Sequence, residues 1–286
     1  GEDGAVLIDW RADLTEASDE LVVTHGGLPL DACARLRAAA EPTPVTFTRV
    51  PLGADYYTHK NLGFAASSGD VVAFVDGDCT PCTGWLASLT APILAGEAEV
   101  SAGPTAYPPG AASAVGTAID FPLLPSPLAD GAVQNFFANN VAFARNVFDA
   151  RRYPVIEGMF HGQCQVLALG LHDAGIVVRL ADGARLEHAW PEGARAILAM
   201  RLLRGADTRA MVPHLVRAFA PRLEPVLGDL GPWPALALLG ARTLRGGREV
   251  MRDEAPIASR AVGALFLLGT FLVDAAGALA QRRVHE

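Results

Sequence analysis

The sequence has 286 residues, of which 51% are hydrophobic and 19% charged. A chain of this length and composition buries a substantial core, either as one large domain or as one domain with an appendage. Its formal net charge of −8 argues against a nucleic-acid-binding surface. The four cysteines follow no regular spacing, as expected of a protein in a reducing cytoplasm.

The first fifty residues alternate between strand and helix patterns. Residues 5–10, 20–24 and 45–50 are predicted strands, and residues 30–40 form a predicted helix with apolar positions at helical spacing. The apolar stretch at 5–10 is too short for a signal peptide and follows acidic residues. Alternation of this kind predicts an α/β fold with a parallel sheet.

The next segment places two carboxylates at the end of a buried strand. A small-residue helix over 60–68 precedes an apolar strand over 71–75, which leads into Asp76 and Asp78 around a single glycine. In an open α/β sheet, ligands collect beyond the carboxyl ends of the strands. Two acids there suit Mg²⁺ or Mn²⁺ that also binds a diphosphate. The alternative is an ordinary turn whose aspartates cap the next helix.

Directly after this pair, Cys79 and Cys82 form a C-x-x-C motif. Such a motif is redox-active or metal-binding in some proteins. No second C-x-x-C completes a zinc site in this sequence, so we expect neither role here.

The middle of the chain continues the α/β pattern. A helix is predicted over 86–94, followed by a strand over 99–104 and two short strands over 176–180 and 184–188. Residues 104–131 are rich in Pro, Ala, Ser and Gly, which fits either a mobile lid over a ligand site or a plain connector.

Beyond residue 191 the pattern becomes helical, with segments separated by Pro and Gly. The predicted helices cover residues 194–204, 208–220, 234–245 and 258–283. The last contains a stretch, 261–280, whose one charge is Asp274; it either spans a bilayer, lies on a membrane or partner, or packs as a soluble helix. Arginines at 201, 204, 209, 217, 222, 242, 245, 248 and 252 suit an anionic membrane surface or a lipid-phosphate acceptor.

The order of residues from His59 to Trp85 resembles the nucleotide-sugar-binding half of family 2 glycosyltransferases. In that family an Arg-Asn-x-Gly helix start, a Gly-Asp break, an apolar strand, a D-x-D motif and a Trp-Leu helix start follow one another, and here Lys60 replaces the Arg. The resemblance implies a GT-A fold, which is Rossmann-like with a mostly parallel sheet, over residues 1–192. A helical region, for which membrane association is one of the alternatives given above, would then cover residues 193–286.

The resemblance also implies roles for individual residues on the donor side. Asp76, Asp78 and His188 would hold Mn²⁺ or Mg²⁺, while Lys60 and Asn61 would lie against the nucleotide. The expected donor is a nucleoside-diphosphate sugar, with a UDP-sugar as the first expectation, and Asp76 would contribute to its binding. At the end of the first strand, Asp9 is a further candidate for contacting the base, although the family's motifs are degenerate there.

On the acceptor side, Asn140 and Arg145 match an Asn before an apolar strand and an Arg shortly after it. In the family they would hydrogen-bond sugar hydroxyls or a phosphate of a glycan or lipid-linked acceptor. Alternatively, Asn140 caps a local turn and Arg145 forms a surface ion pair.

The family's general base is missing. Its Glu-Asp positions fall on Gln163 and Cys164, neither of which does the work of a carboxylate. Two nearby residues are candidate catalytic bases, His161 and Glu157, and the third alternative is that no base is present.

The resemblance therefore predicts an inverting, metal-dependent glycosyltransferase, cytoplasmic or held at the inner face of the membrane, with no nucleic-acid partner. One rival is a nucleotidyltransferase, which should carry a Gly-rich basic loop after its first strand; no such loop follows Asp9. The other rival is a catalytically silent relative that binds a nucleotide sugar or a partner.

Overall fold

The computed structural model describes residues 18–224, 226, 230–251 and 257–280. The predicted strand at 5–10, with Asp9, lies outside these residues, as does the end of the predicted helix at 258–283.

The chain packs as two compact units. The first, here called the sheet unit, comprises the described parts of Gly1–Thr105, Leu123–Val155 and Leu167–His188. The second, the helical unit, comprises the described parts of Ala106–Pro122, Ile156–Val166 and Ala189–Glu286. The helical unit thus takes two earlier segments in addition to the C-terminal region.

The described residues form ten strands and nine α-helices. The strands are β1 (Leu21–His25), β2 (Val45–Arg49), β3 (Val71–Phe74), β4 (Cys79–Pro81), β5 (Val100–Ala102), β6 (Thr105–Ala106), β7 (Ala132–Val133), β8 (Val141–Ala144), β9 (Val178–Leu180) and β10 (Leu186–His188). The helices are α1 (Leu30–Ala40), α2 (Tyr56–Ala65), α3 (Trp85–Leu94), α4 (Ser113–Asp120), α5 (Arg145–Ala150), α6 (Gln163–Asp173), α7 (Gly193–Phe219), α8 (Trp233–Val250) and α9 (Ile257–Ala280).

The sheets are mixed, whereas the sequence predicted a mostly parallel arrangement. Strands β1 and β2 form a parallel pair, as predicted. The five-stranded sheet has the order β3-β8-β5-β9-β7, in which only the β5–β9 pair is parallel. A third sheet has the order β4-β10-β6, and its strand β4 begins directly after the predicted Asp-Gly-Asp turn. The five-stranded sheet is mixed because β8 lies between β3 and β5 and runs antiparallel to both.

The core of the sheet unit lies on both faces of the five-stranded sheet. Aromatic rings from α2, β3, β8 and α5 pack edge to face or tilted, with Phe74 and Phe148 4.9 Å apart between ring centroids. Helix α3 contributes Trp85 and Leu89 to a second apolar cluster, and both side chains are fully buried. Burial on both faces explains why β3 and β8 read as continuous apolar runs.

Several helices differ from their predicted bounds. Helix α2 starts at Tyr56 rather than residue 60, because Asp55 caps it by accepting hydrogen bonds from the backbone N–H groups of Tyr57 and Thr58. The Pro- and Gly-rich segment at 104–131 contains α4. The two helices predicted at 194–204 and 208–220 are a single helix, α7, which continues through Pro213.

In the helical unit, α7 and α9 approach each other at two glycines. A Cβ added at Gly205 would lie 1.9 Å from the backbone oxygen of Asp274, and one at Gly277 would lie 2.1 Å from that of Leu202. Only glycine permits such close backbone contact between helices. Over Arg260–Ala280, α9 is also long and apolar enough to cross a bilayer by length and composition.

We expect Gly205→Ala to destabilise the protein by about 1–3 kcal/mol, because backbone atoms of α9 cannot move aside as a flexible side chain can. The matched control is Gly240→Ala in α8, where the added Cβ meets nothing within 4 Å. That change should be neutral or stabilise by up to about 1 kcal/mol, since alanine favours a helix over glycine. Urea unfolding of both variants measures the difference, and equal effects would contradict the close packing.

Candidate active site

Strand β3 delivers two acids to the edge of the sheet unit. After Phe74 the chain turns through Asp76, Gly77 and Asp78 before β4 begins at Cys79. The turn is closed by the backbone N–H of Cys79, which donates to the carbonyl of Asp76 at 3.2 Å. Asp76 is mostly buried, whereas the side chain of Asp78 is 56% exposed.

Strand β10 brings His188 to the same place. It pairs antiparallel with β4 so that His188 lies opposite Cys79 in the register. The Nε2 atom of His188 lies 3.6 Å from a carboxylate oxygen of Asp78, and the imidazole is largely buried. The predicted group of Asp76, Asp78 and His188 is therefore assembled from residues more than a hundred positions apart.

These residues form a compact set of potential metal ligands. One ligand atom from each of Asp76, Asp78, Cys79 and His188 lies within 4.8 Å of the others. Two carboxylates and an imidazole suit Mn²⁺ or Mg²⁺, and the span is compatible with a shared ion. Burial and the two aspartates raise the pKa of the Cys79 thiol, so Cys79 stays protonated and is the least suited of the four to bind a hard cation.

Asp76 is held by two donors from α2. The Lys60 Nζ atom lies 2.6 Å from one carboxylate oxygen, and the Tyr56 hydroxyl donates to the same carboxylate at 2.7–2.8 Å. Burial raises the pKa of Tyr56, and the charge of Asp76 raises it further, which keeps the hydroxyl a donor. Sequence analysis pointed to Lys60 but missed Tyr56, because only the three-dimensional structure brings the first turn of α2 to the end of β3.

Asn61, the other residue expected near the nucleotide, ties two segments of the sheet unit together. Its amide nitrogen donates to the backbone oxygen of Tyr153 at 2.9 Å. Its amide oxygen is buried and has no hydrogen-bond partner among the described residues. Nucleotide contact by Asn61 stays a prediction.

Asn140, predicted to face the acceptor, is fully buried and forms hydrogen bonds inside the sheet unit. Its amide oxygen accepts from the indole N–H of Trp85 at 2.8 Å, and its nitrogen donates to the backbone oxygens of Pro104 and Ala184. These contacts connect α3 to the segments that flank β6 and β10. All polar atoms of the Asn140 side chain have internal partners here, so the geometry favours a structural role.

Arg145 likewise makes internal contacts. Its Nε donates to the backbone oxygen of Gly69 and one Nη to the Ser67 hydroxyl, while the guanidinium lies 4.7 Å from the ring centroid of Phe64. The side chain thereby fixes the break between α2 and β3. Contact of Arg145 with an acceptor stays a prediction.

In the helical unit, the segment before α6 contains both candidate bases. Asp207 on α7, which is buried, accepts from the backbone N–H groups of Phe160 and His161 at 2.7 and 3.1 Å. A second contact joins the Nδ1 atom of His161 to Asp207 at 3.1 Å, and the His161 side chain is 51% exposed. Glu157 is exposed. Sequence analysis missed Asp207, which lay in a predicted break between two helices.

Gln163 and Cys164, at the positions where the family carries its acids, are both buried in the helical unit. The Gln163 amide nitrogen donates to the backbone oxygen of Met159 at 2.7 Å. Neither side chain supplies a carboxylate, and both belong to the packed start of α6.

Comparison with solved structures identifies the fold. The mannosyltransferase PcManGT from Pyrobaculum calidifontis, in complex with GDP-Man and Mn²⁺, has a TM-score of 0.53 at 15% identity, over 92% of this chain and 79% of that one. GalNAc-T7 with UDP, GalNAc and Mn²⁺ has a TM-score of 0.49 at 14% identity, over 71% of this chain and 44% of that one. TarS 1–349 of S. aureus with UDP-GlcNAc has a TM-score of 0.46 at 12% identity, over 91% and 80%.

No family model matches the sequence, and a sequence search of curated proteins finds no match. The likeness to PcManGT confirms the predicted fold class. The chain has the GT-A fold of nucleotide-sugar glycosyltransferases, with a helical C-terminal region.

Proposed function

We propose that this protein is a glycosyltransferase that moves a sugar from a nucleoside-diphosphate sugar to an acceptor hydroxyl with inversion. The observation that carries the proposal is the grouping of Asp76, Asp78 and His188 at the end of β3 in a GT-A fold. In this reaction the acceptor oxygen bonds to the anomeric carbon as the bond to the diphosphate breaks. The acceptor proton passes to a base, and the nucleoside diphosphate leaves.

The proposed metal is Mn²⁺ or Mg²⁺, held by Asp76, Asp78 and His188. A bound divalent ion would neutralise the charge that develops on the leaving diphosphate. Lys60 and Tyr56 fix the Asp76 carboxylate through the contacts described above. Such supporting hydrogen bonds orient a ligand before the ion binds.

For the general base we propose His161, with Asp207 as the residue that positions it. The contact between Nδ1 and the Asp207 carboxylate orients the imidazole, and an oriented imidazole can accept a proton as a general base. The resemblance places the family's base three residues further along the chain. Glu157 has no comparable partner in the described contacts, which favours His161.

We expect His161→Gln to lower the rate of sugar transfer by about 10²–10⁴-fold, the usual contribution of a general base, while nucleotide binding is retained. Glu157→Gln should keep nearly full activity. Asp207→Asn should lower kcat by more than it changes KM for the donor, because it removes the carboxylate that orients the His161 ring. A purely structural Asp207 would instead lower thermal stability and leave the kcat of the folded enzyme unchanged.

The proposed donor is a UDP-sugar, and the proposed acceptor is a glycan or a lipid-linked hydroxyl in the cytoplasm. Calorimetric titration of UDP and of GDP, with Mn²⁺ and with a chelator, tests the donor site. Manganese-dependent binding of UDP would support the proposal, whereas binding of GDP alone would replace the proposed donor by a GDP-sugar. Failure of both nucleotides to bind the folded protein would overturn it.

A catalytically silent nucleotide-sugar-binding protein is the second candidate function. The buried Gln163 and Cys164 at the family's acid positions favour it. A turnover assay over a panel of nucleotide sugars distinguishes the two candidates. Nucleotide binding with no transfer to any acceptor and no slow hydrolysis of the donor would favour the silent protein.

A further inference from the structure

Helix α9 has the reverse of the polarity expected for a helix on the surface of a water-soluble protein. Its exposed residues between 261 and 280 are all apolar or glycine: Ala261, Val262, Ala264, Leu265, Leu268, Gly269, Leu272, Ala276, Leu279 and Ala280. The two polar residues of this stretch, Thr270 and Asp274, are buried. A surface helix in water normally turns its charged face outward.

The charge of Asp274 is neutralised inside the helical unit. The Nε atom of Arg201 on α7 donates to Asp274 at 2.8 Å, and Arg201 also contacts Asp120 on α4 at 2.8 Å. Ionisable residues of helices in lipid typically face the bundle interior and pair with one another. The buried ion pair and the exposed apolar face of α9 together form the arrangement that is typical of a helix in contact with lipid.

The neighbouring helices also expose large apolar side chains. On α8 the exposed fractions are 68% for Trp233 and 74% for Leu244, and on α7 the value is 48% for Leu198. An apolar surface of this extent on a protein in water marks an interaction site.

Length and charge indicate which partner this surface meets. The segment Arg260–Ala280 has 21 residues, and at about 1.5 Å per residue it matches the bilayer's hydrocarbon thickness of about 30 Å. By sequence, the helical unit carries thirteen arginines against eleven acidic residues, a net charge of +2, whereas the sheet unit carries ten basic and twenty acidic residues, a net charge of −10. A positive region repels a second copy of itself but attracts anionic lipid headgroups.

We propose that the helical unit binds an anionic lipid bilayer, with the exposed face of α9 in contact with the acyl chains. This inference goes beyond the proposed function and does not depend on it, because it rests on the outer surface of the helical unit. The apolar face supplies hydrophobic contact, and the excess of arginine supplies attraction to the headgroups.

The test is flotation of the full-length chain with vesicles made of equal parts phosphatidylcholine and phosphatidylglycerol. The triple variant Leu265→Glu, Leu268→Glu, Leu272→Glu changes side chains that are 71%, 57% and 58% exposed. We expect it to bind at least about tenfold more weakly than the unchanged protein. The matched control is Leu94→Glu, an exposed helical leucine of the sheet unit, which should bind like the unchanged protein.

Circular dichroism and thermal melting verify that the variants fold. Weaker binding of the unchanged protein to pure phosphatidylcholine vesicles than to the mixed vesicles would support the contribution of charge to binding. If the triple variant floats like the unchanged protein, the assignment of α9 is wrong. If the unchanged protein does not bind vesicles and is a dimer, while the triple variant is a monomer, a second copy covers this face. That result would overturn the proposal.

Discussion

Asp78→Asn is expected to abolish manganese-dependent nucleotide binding, with a loss in affinity of at least about a hundredfold. Asp78 is the more exposed of the two acids and lies 3.6 Å from His188. It is therefore the carboxylate best placed to bind an ion that also contacts a diphosphate. The amide keeps the size of the side chain but removes the charge, so the effect reports on ligation rather than packing. Calorimetric titration with UDP and GDP measures the loss.

The matched control for this change is Asp149→Asn. Asp149 also belongs to the sheet unit, its side chain is 62% exposed, and it makes an ion pair with Arg152. Its replacement should leave nucleotide affinity unchanged. An intermediate result is expected for Tyr56→Phe, which removes a donor to Asp76 and should weaken metal affinity by about 10–100-fold. Wild-type affinity in Asp78→Asn would show that the metal assignment is wrong.

Arg201→Met should destabilise the helical unit by about 3–5 kcal/mol, the usual cost of breaking a buried ion pair. Its side chain is 2% exposed and bridges Asp120 and Asp274, which are equally buried. Removing the guanidinium leaves two buried carboxylates with fewer partners. The double change Arg201→Met, Asp274→Leu should recover a large part of the loss, since it removes an unpaired charge as well.

Urea unfolding measures these changes. Arg217→Met is the matched control, because this arginine pairs with Glu224 at the surface and is 69% exposed. Such a pair contributes less than about 1 kcal/mol. Equal effects for Arg201→Met and Arg217→Met would contradict a stabilising role for the buried cluster.

The same cluster predicts how stability depends on pH. Burial raises the pKa of Asp120, but the guanidinium groups of Arg204, Arg201 and Arg242 outweigh burial and lower it from 3.8 to about 2. Because the folded-state pKa lies below the unfolded value, this contribution to stability is fully present above about pH 4 and is lost as the pH falls through about 2. We expect Asp120→Asn to flatten the acid limb of the stability curve.

The candidate metal site could be predicted because its signals are local. Asp76 and Asp78 follow an apolar strand directly, and the resemblance supplied His188. By contrast, Tyr56 and Asp207 act through contacts that only the folded chain creates. Nothing in a short window of sequence indicates that the first turn of α2 meets the end of β3.

The fold was predictable in class but not in strand direction. The short apolar segments at 71–75 and 141–144 read as strands in either direction, and the antiparallel entry of β8 depends on connections between distant segments. Helix α7 was predicted as two pieces because glycine normally weakens a helix. Here Gly205 lies in the interior of the helix, where it permits the close approach of α9.

The contrast between the cysteines near the site offers a practical consequence. Cys82 is exposed just beyond the Asp-Gly-Asp turn, whereas Cys33, Cys79 and Cys164 are buried. A thiol-reactive fluorophore should therefore attach to Cys82 in the native protein, with no need to remove the other thiols. The dye would then sit four positions from Asp78 and turn the natural sequence into an optical reporter of metal and nucleotide occupancy.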